Sequence, residues 1–79
     1  MQKNNVAVKP VGLEAEKLNA LIVDAIQDIK GKNIVLLDLR HLHDAPTDFF
    51  IICEGDSNVQ VRSIGDNIRK RLKEEMDLS

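Results

Sequence analysis

Asp48-Phe49-Phe50-Ile51-Ile52-Cys53-Glu54 runs directly into Gly55-Asp56-Ser57-Asn58-Val59-Gln60-Val61, and these fourteen residues decide how the chain folds. The first seven form a short apolar run, too short for a helix and rich in aromatic and branched residues, which reads as a strand. Its apolar residues occupy both alternating sets of positions, so both faces need cover. Gly55-Asp56-Ser57 breaks the run. Ser57 with Gln60 three residues later has the pattern of a capping box, in which side chains satisfy the free amides of a first helical turn. Val61, Ile64, Ile68 and Leu72 then recur at helical spacing as one apolar stripe. Gly65 within that stretch reads as a place of close backbone approach. Arg62, Asp66, Arg69, Lys70, Lys73 and Glu74 are left for water or a partner.

Upstream, His41-Leu42-His43-Asp44-Ala45-Pro46 is a polar, proline-containing connection. Before it, Asn33-Ile34-Val35-Leu36-Leu37-Asp38-Leu39-Arg40 reads as a largely buried strand. The short connection favours an antiparallel pair, because a parallel crossover needs a dozen or more residues. Earlier still, Leu18, Leu21, Ile22, Ala25, Ile26 and Ile29 mark a helical stripe, closed by Gly31 as a stop signal. Residues 1–12 carry Pro10 and Gly12, lack clear patterning and read as a flexible N-terminal tail. The folded domain is expected over residues 13–79. The order is therefore helix, strand, strand, helix. Two strands rarely form a stable sheet alone, and the second would keep open edges that invite pairing. The chain reads as the beginning of a larger sheet, with further strands or a second copy completing it.

Composition narrows the class. The 79 residues make one small domain and cannot hold a two-lobed enzyme. An apolar share of 43% is too high for a disordered chain. Eleven basic against thirteen acidic residues leave a net charge of −2, which disfavours non-specific nucleic-acid binding driven by bulk charge, and no direct sequence-specific nucleic-acid contact is expected. No apolar run approaches the ~20 residues of a membrane helix. One cysteine excludes an intrachain disulfide, and a reduced, cytoplasmic setting is expected. Two Phe with no Trp or Tyr leave few aromatic anchors for stacking on bases.

Candidate chemistry is sparse. His41 and His43, with Asp44 and Asp48, suggest a metal site only superficially, because no third ligand has suitable spacing; a solvated loop is the better reading and no metal is expected. Cys53 sits inside an apolar run, where burial raises a thiol pKa and makes it inert. Gly55-Asp56-Ser57-Asn58 at a strand-to-helix turn could cradle a phosphate, yet no Gly-x-x-x-x-Gly-Lys loop is present and Asp56 adds like charge. No catalytic constellation emerges, and no cofactor is expected.

Several spaced motifs together point to a family. Ile22-Val23-Asp24-Ala25-Ile26, the strand from Asn33 to Leu39, and Thr47 through Val61 into Ile64, Asp66 and Ile68 resemble the ribosomal silencing factors, or Iojap-like proteins. The resemblance spans roughly Leu18 to Lys73. It implies a homodimeric, non-enzymatic α/β protein with a mixed sheet, related in fold to nucleotidyltransferases but without their catalytic acids. It implies binding to the large ribosomal subunit at its L-fourteen protein, which blocks subunit joining and represses translation when nutrients are short. Family members continue beyond the second helix with further strands and an aromatic segment, whereas this sequence ends at Ser79, so a truncated Iojap fold is expected. Phe49 stands where the family often has tyrosine. The partner-binding candidates are Thr47 and Asp48 at the strand entrance, Ser57, Asn58 and Gln60 at the turn, and Arg62 on the helix. The competing reading is a small nucleotide-binding or nucleotidyltransferase-like enzyme using the turn from Gly55 to Asn58.

Overall fold

The computed structural model describes residues 4–8 and 15–76. Five elements follow in the order β1 (Asn4–Val8), α1 (Ala15–Asp28), β2 (Lys32–Asp38), β3 (Phe49–Gly55) and α2 (Asn58–Met76). The strands form one sheet in the order β1-β3-β2. Both pairings are antiparallel: β1 runs from Asn4 opposite Gly55 to Val8 opposite Ile51, and β2 places Val35 opposite Ile52 and Asp38 opposite Phe49. A register shift falls between Lys32 and Val35, where Asn33 adopts a φ of 50°. This is an α/β fold in which two helices pack on a three-stranded sheet.

Four expectations are corrected by this arrangement. The flexible tail expected over residues 1–12 contains β1; the rest of that stretch lies outside the described residues. A five-residue segment opening Asn4-Asn5 has weak strand propensity, and its pairing is supplied by the edge of β3 rather than by its own pattern. The second sequence-predicted strand is therefore central rather than open-edged, with β2 along one side and β1 along Ile51–Gly55 on the other. Finally, β2 is not buried: Val35, Leu36 and Leu37 are 47%, 42% and 41% exposed. The helices cover the other strands, and a lateral strand loses their shelter. The mixed sheet implied by the resemblance is also not what the described strands make, since each pairing is antiparallel.

The core lies between the helices and one face of β3. Ile22, Ala25 and Ile26 of α1, Ile51 and Cys53 of β3, and Ile64 and Ile68 of α2 form one buried cluster, with Val8, Leu18, Ile29, Ile34 and Leu72 packed around it. Cys53 is fully buried within it, as its apolar surroundings predict. Gly65, by contrast, has open space where its side chain would be, so the close approach expected there is absent.

The chain leaves α1 through a tight left-handed turn. Gly31 N–H donates to the Ile26 carbonyl at 3.0 Å and Lys30 N–H to the Gln27 carbonyl at 3.0 Å, the pairing that closes many helix ends. The left-handed residue is Lys30, with φ 60°, not Gly31. Gly31 is needed for space instead: a Cβ there would lie 2.3 Å from the Ile26 side chain. Further along, α2 is bound to α1 by polar side chains. Asn67 donates to the Ala25 carbonyl at 2.8 Å, and Arg71 reaches Asp24 at 2.9 Å and Asp28 at 2.6 Å while also pairing with Glu75.

Candidate functional site

The turn from β3 into α2 is built as the sequence pattern predicts, with one change of partner. Gln60 N–H donates to Ser57 Oγ at 3.1 Å, and Val61 N–H donates to the Ser57 carbonyl at 3.0 Å, so Ser57 caps the helix. The Gln60 side chain does not return to Ser57. Its Oε1 accepts the Asp56 N–H, and its Nε2 donates to the carbonyls of Ile29 at 3.0 Å and Lys30 at 3.2 Å. One half-buried amide thus joins the start of α2 to the end of α1, satisfying carbonyls that a helix terminus leaves without partners. Gly55 permits this closure, since a Cβ there would stand 3.0 Å from Val61 and 3.3 Å from Gln60 Oε1. Outside the turn, Asn58 and Arg62 are exposed, and Val59 between them is 71% exposed.

The same turn is poorly suited to a phosphate. The Asp56 amide is already engaged by Gln60, and the Asp56 carboxylate pairs with Lys32 Nζ at 2.9 Å. An incoming anion would meet a carboxylate beside an occupied amide.

Thr47 and Asp48 lie at the opposite end of β3. Seven strand residues separate the two groups, about 23 Å at ~3.3 Å per residue. The six sequence-selected residues are therefore not one cluster. Asp48 is exposed, and its carbonyl accepts Leu39 N–H at 2.8 Å, so backbone rather than side chains closes the connection. Thr47 is buried with its hydroxyl unpartnered. Beside them stands a cluster the sequence reading missed. Arg40 makes three bonds to Asp38, from its backbone N–H at 3.1 Å, Nε at 3.0 Å and Nη2 at 2.7 Å, reaches Glu16 at 3.4 Å, and lies 4.8 Å above the Phe49 ring. Hydrogen bonds from Arg40 hold the Asp38 carboxyl down at about 2. His41 and His43 are exposed, and among the described residues no group of three or more His, Cys, Asp or Glu is placed to hold a metal ion.

The larger feature is the sheet face away from the helices. Residues opposite one another in an antiparallel ladder share a face. Val35 opposite Ile52 and Leu37 opposite Phe50 therefore make one apolar surface, with Ala7 opposite Ile52 on the far strand. Val35 and Leu37 are exposed, Phe50 and Ile52 half-buried. Contiguous exposed apolar surface can serve as a contact for another molecule. Its signal was present in the sequence as Val35-x-Leu37 and Phe50-x-Ile52, two alternating pairs that a single layer of helices could not cover together with Ile51 and Cys53.

These features define a small α/β domain with a capped strand-to-helix turn and, among the described residues, an apolar sheet face turned away from both helices. The chain belongs to the family described as Ribosomal silencing factor during starvation, which it matches over residues 13–79. It is 37% identical over 65 residues to the Ribosomal silencing factor RsfS of Chromobacterium violaceum, covering 78% of this chain and 50% of that protein. It is 33% identical over 60 residues to the Ribosomal silencing factor RsfS of Halalkalibacterium halodurans, covering 76% of this chain and 50% of that one. The chain thus spans about half the length of these curated relatives. No solved structure matches it. Among the described residues, no helix is long and apolar enough to cross a membrane.

Proposed function

We propose that this chain acts as a ribosomal silencing factor: it binds the large ribosomal subunit at its L-fourteen protein, blocks joining of the small subunit and represses translation on nutrient limitation. The observation that carries this reading is the family match over residues 13–79. Steric blockade requires no chemistry and no cofactor; a tightly held protein on the joining surface excludes the second subunit. The protein acts in the cytoplasm, as a homodimer whose copies meet through the bare face of Val35, Leu37, Phe50 and Ile52. The ribosomal contact is made by the exposed first turn of α2, where Asn58, Val59 and Arg62 project and Ser57 and Gln60 hold the backbone in place. Thr47 and Asp48 support the far end of β3.

Co-sedimentation of the chain with isolated large subunits tests the reading. Association is expected, together with loss of joined ribosomes when small subunits are added. Val59→Glu with Arg62→Glu should abolish both without changing the unfolding midpoint by much. A chain that stays in the supernatant with large subunits at every concentration sinks the proposal.

A further inference from the structure

α2 turns one side to the core and leaves the other to solvent, and beyond its first turn the outward side is charged. Arg62, Asp66, Arg69, Lys70, Lys73 and Glu74 are all exposed. At about 100° per residue, Arg62, Arg69 and Lys73 fall within about 40° of one another around the helix, with Lys70 beside them. Arg62 and Lys73 stand about 17 Å apart along its axis.

Acidic residues interrupt this stripe in the sequence, but the fold engages most of them. Asp66 pairs with Arg69, and Glu75 pairs with Arg71, which also holds Asp24 and Asp28 of α1. Elsewhere Arg40 holds Asp38 and Glu16, and Lys32 holds Asp56. Among the described residues, no hydrogen bond or ion pair reaches the side chains of Arg62, Lys70 or Lys73. Three cations are thus left against Glu74 among the described residues of this face. The net charge of −2 is a sum over the whole chain, whereas the field a close partner meets is set within a Debye length of about 8–10 Å. The outward face of α2 is locally basic.

We infer that this face is a phosphate-contacting stripe, on which Arg62, Lys70 and Lys73 lie along the RNA backbone of the large subunit, beside the protein contact of the first turn. The inference rests on the ribosomal reading and extends that contact from Arg62 along the helix. The make-up of the stripe favours RNA over an acidic protein. From Arg62 to Lys73 every exposed residue is charged, whereas protein interfaces are built on apolar and aromatic anchors and are depleted in Lys. Phosphate contacts need no such anchor: Lys and Arg make them by charge, without reading bases. Asn67 and Arg71 clamp α2 to α1, so the row of cations is held in place before a partner arrives and little beyond side-chain ordering opposes docking.

Salt supplies the test, since each phosphate neutralised steepens the fall of log affinity against log salt by about 0.7–0.9. Co-sedimentation of the full chain with isolated large subunits is titrated between about 50 and about 200 mM salt. Lys70→Gln with Lys73→Gln alters two exposed side chains outside the first turn and is compared with Lys17→Gln on α1. Across that range the unaltered chain is expected to lose about tenfold more affinity than the double variant, and Lys17→Gln should follow the unaltered chain. Equal slopes for the unaltered chain and the double variant overturn the inference and leave the ribosomal reading standing. An unaltered chain that never sediments removes both. Lys70→Arg with Lys73→Arg keeps the charges and should restore the slope; a slope that stays shallow assigns the loss to the fold and overturns the inference. The isolated L-fourteen protein, free of RNA, is the second arm, and the glutamine variant should bind it as well as the unaltered chain does. A loss there equal to the loss on whole subunits assigns the stripe to an acidic protein surface and overturns the RNA contact.

Discussion

Ile51 and Ile52 are neighbours in β3 with the same side chain and opposite circumstances. Ile51 is fully buried among α1 and α2, whereas Ile52 faces away from both helices and joins Phe50, Val35 and Leu37 on the open side. The sheet is apolar on two faces but covered on one. The residue types therefore do not distinguish the face that holds the molecule together from the face available to another molecule; only the number of helices does.

The sharpest way to break this comparison is to truncate one residue of each face. Ile51→Ala should cost about 2–5 kcal/mol by removing a fully buried side chain and leaving a cavity, enough to unfold much of a domain this small. Val35→Thr with Leu37→Thr, at exposed positions, should shift stability by no more than about 0.5 kcal/mol each while weakening self-association. Urea unfolding of the two variants checks both values, and equal losses would show that the open face is covered in solution within a single chain.

A second pair compares the turn with the helix surface. Gln60→Ala removes three hydrogen bonds, including those to the end of α1, and should cost about 1–3 kcal/mol. Ser57→Ala, which loses only the helix cap, should cost about 1 kcal/mol. If Gln60→Ala were no worse than Ser57→Ala, the bridge between the helices would be energetically idle.

A smaller effect of opposite sign is expected at the left-handed turn. Lys30 holds φ 60° at a position where glycine carries no steric cost, so Lys30→Gly should stabilise the fold by about 0.5–1 kcal/mol, read as a raised midpoint. Gly31→Ala should do the reverse, since its Cβ would meet Ile26.

The least effect belongs to acid. Asp28 is held below its ordinary value by the Asn67 amide and then by Arg71, and Asp38 is held at about 2 by Arg40. A carboxyl with a depressed folded pKa stabilises the fold above its unfolded value near 3.8 and loses that contribution as pH falls through the folded value. Stability should therefore decline from about pH 4 toward pH 2, and Asp28→Asn with Asp38→Asn should flatten that limb. Both groups are exposed to solvent, so added salt should shrink the effect.

Which parts of the fold were legible in the sequence follows from where their determinants lie. The two helices, the capped turn and the buried cysteine are set by neighbours three or four residues away, and their signals survive in a linear reading. β1 is not of that kind. Asn4-Asn5-Val6-Ala7-Val8 becomes a strand because β3 offers it an edge, and that edge is about 45 residues distant along the chain. The exposure of β2 was likewise hidden, because Val35-Leu36-Leu37 has the composition of an interior strand and only the width of the helical layer leaves it outside. At the candidate site, Ser57 and Gln60 were readable as a pair, but the second role of Gln60 at the end of α1 is a contact across about 30 residues. Arg40 was missed although Asp38 lies only two residues before it, since its other partners Glu16 and Phe49 meet it only when α1 and β3 lie side by side.

Arg71 has a mechanical implication. Its guanidinium is shared among carboxylates on α1 and on its own helix, while Asn67 one turn earlier grips an α1 carbonyl. Sliding α2 along α1 by a turn would unseat both attachments together, and rotating it would strand the Arg71 charge. The helical layer therefore behaves as a single stiff plate with the bare sheet as its underside. Any molecule docking on either surface would meet a preset shape.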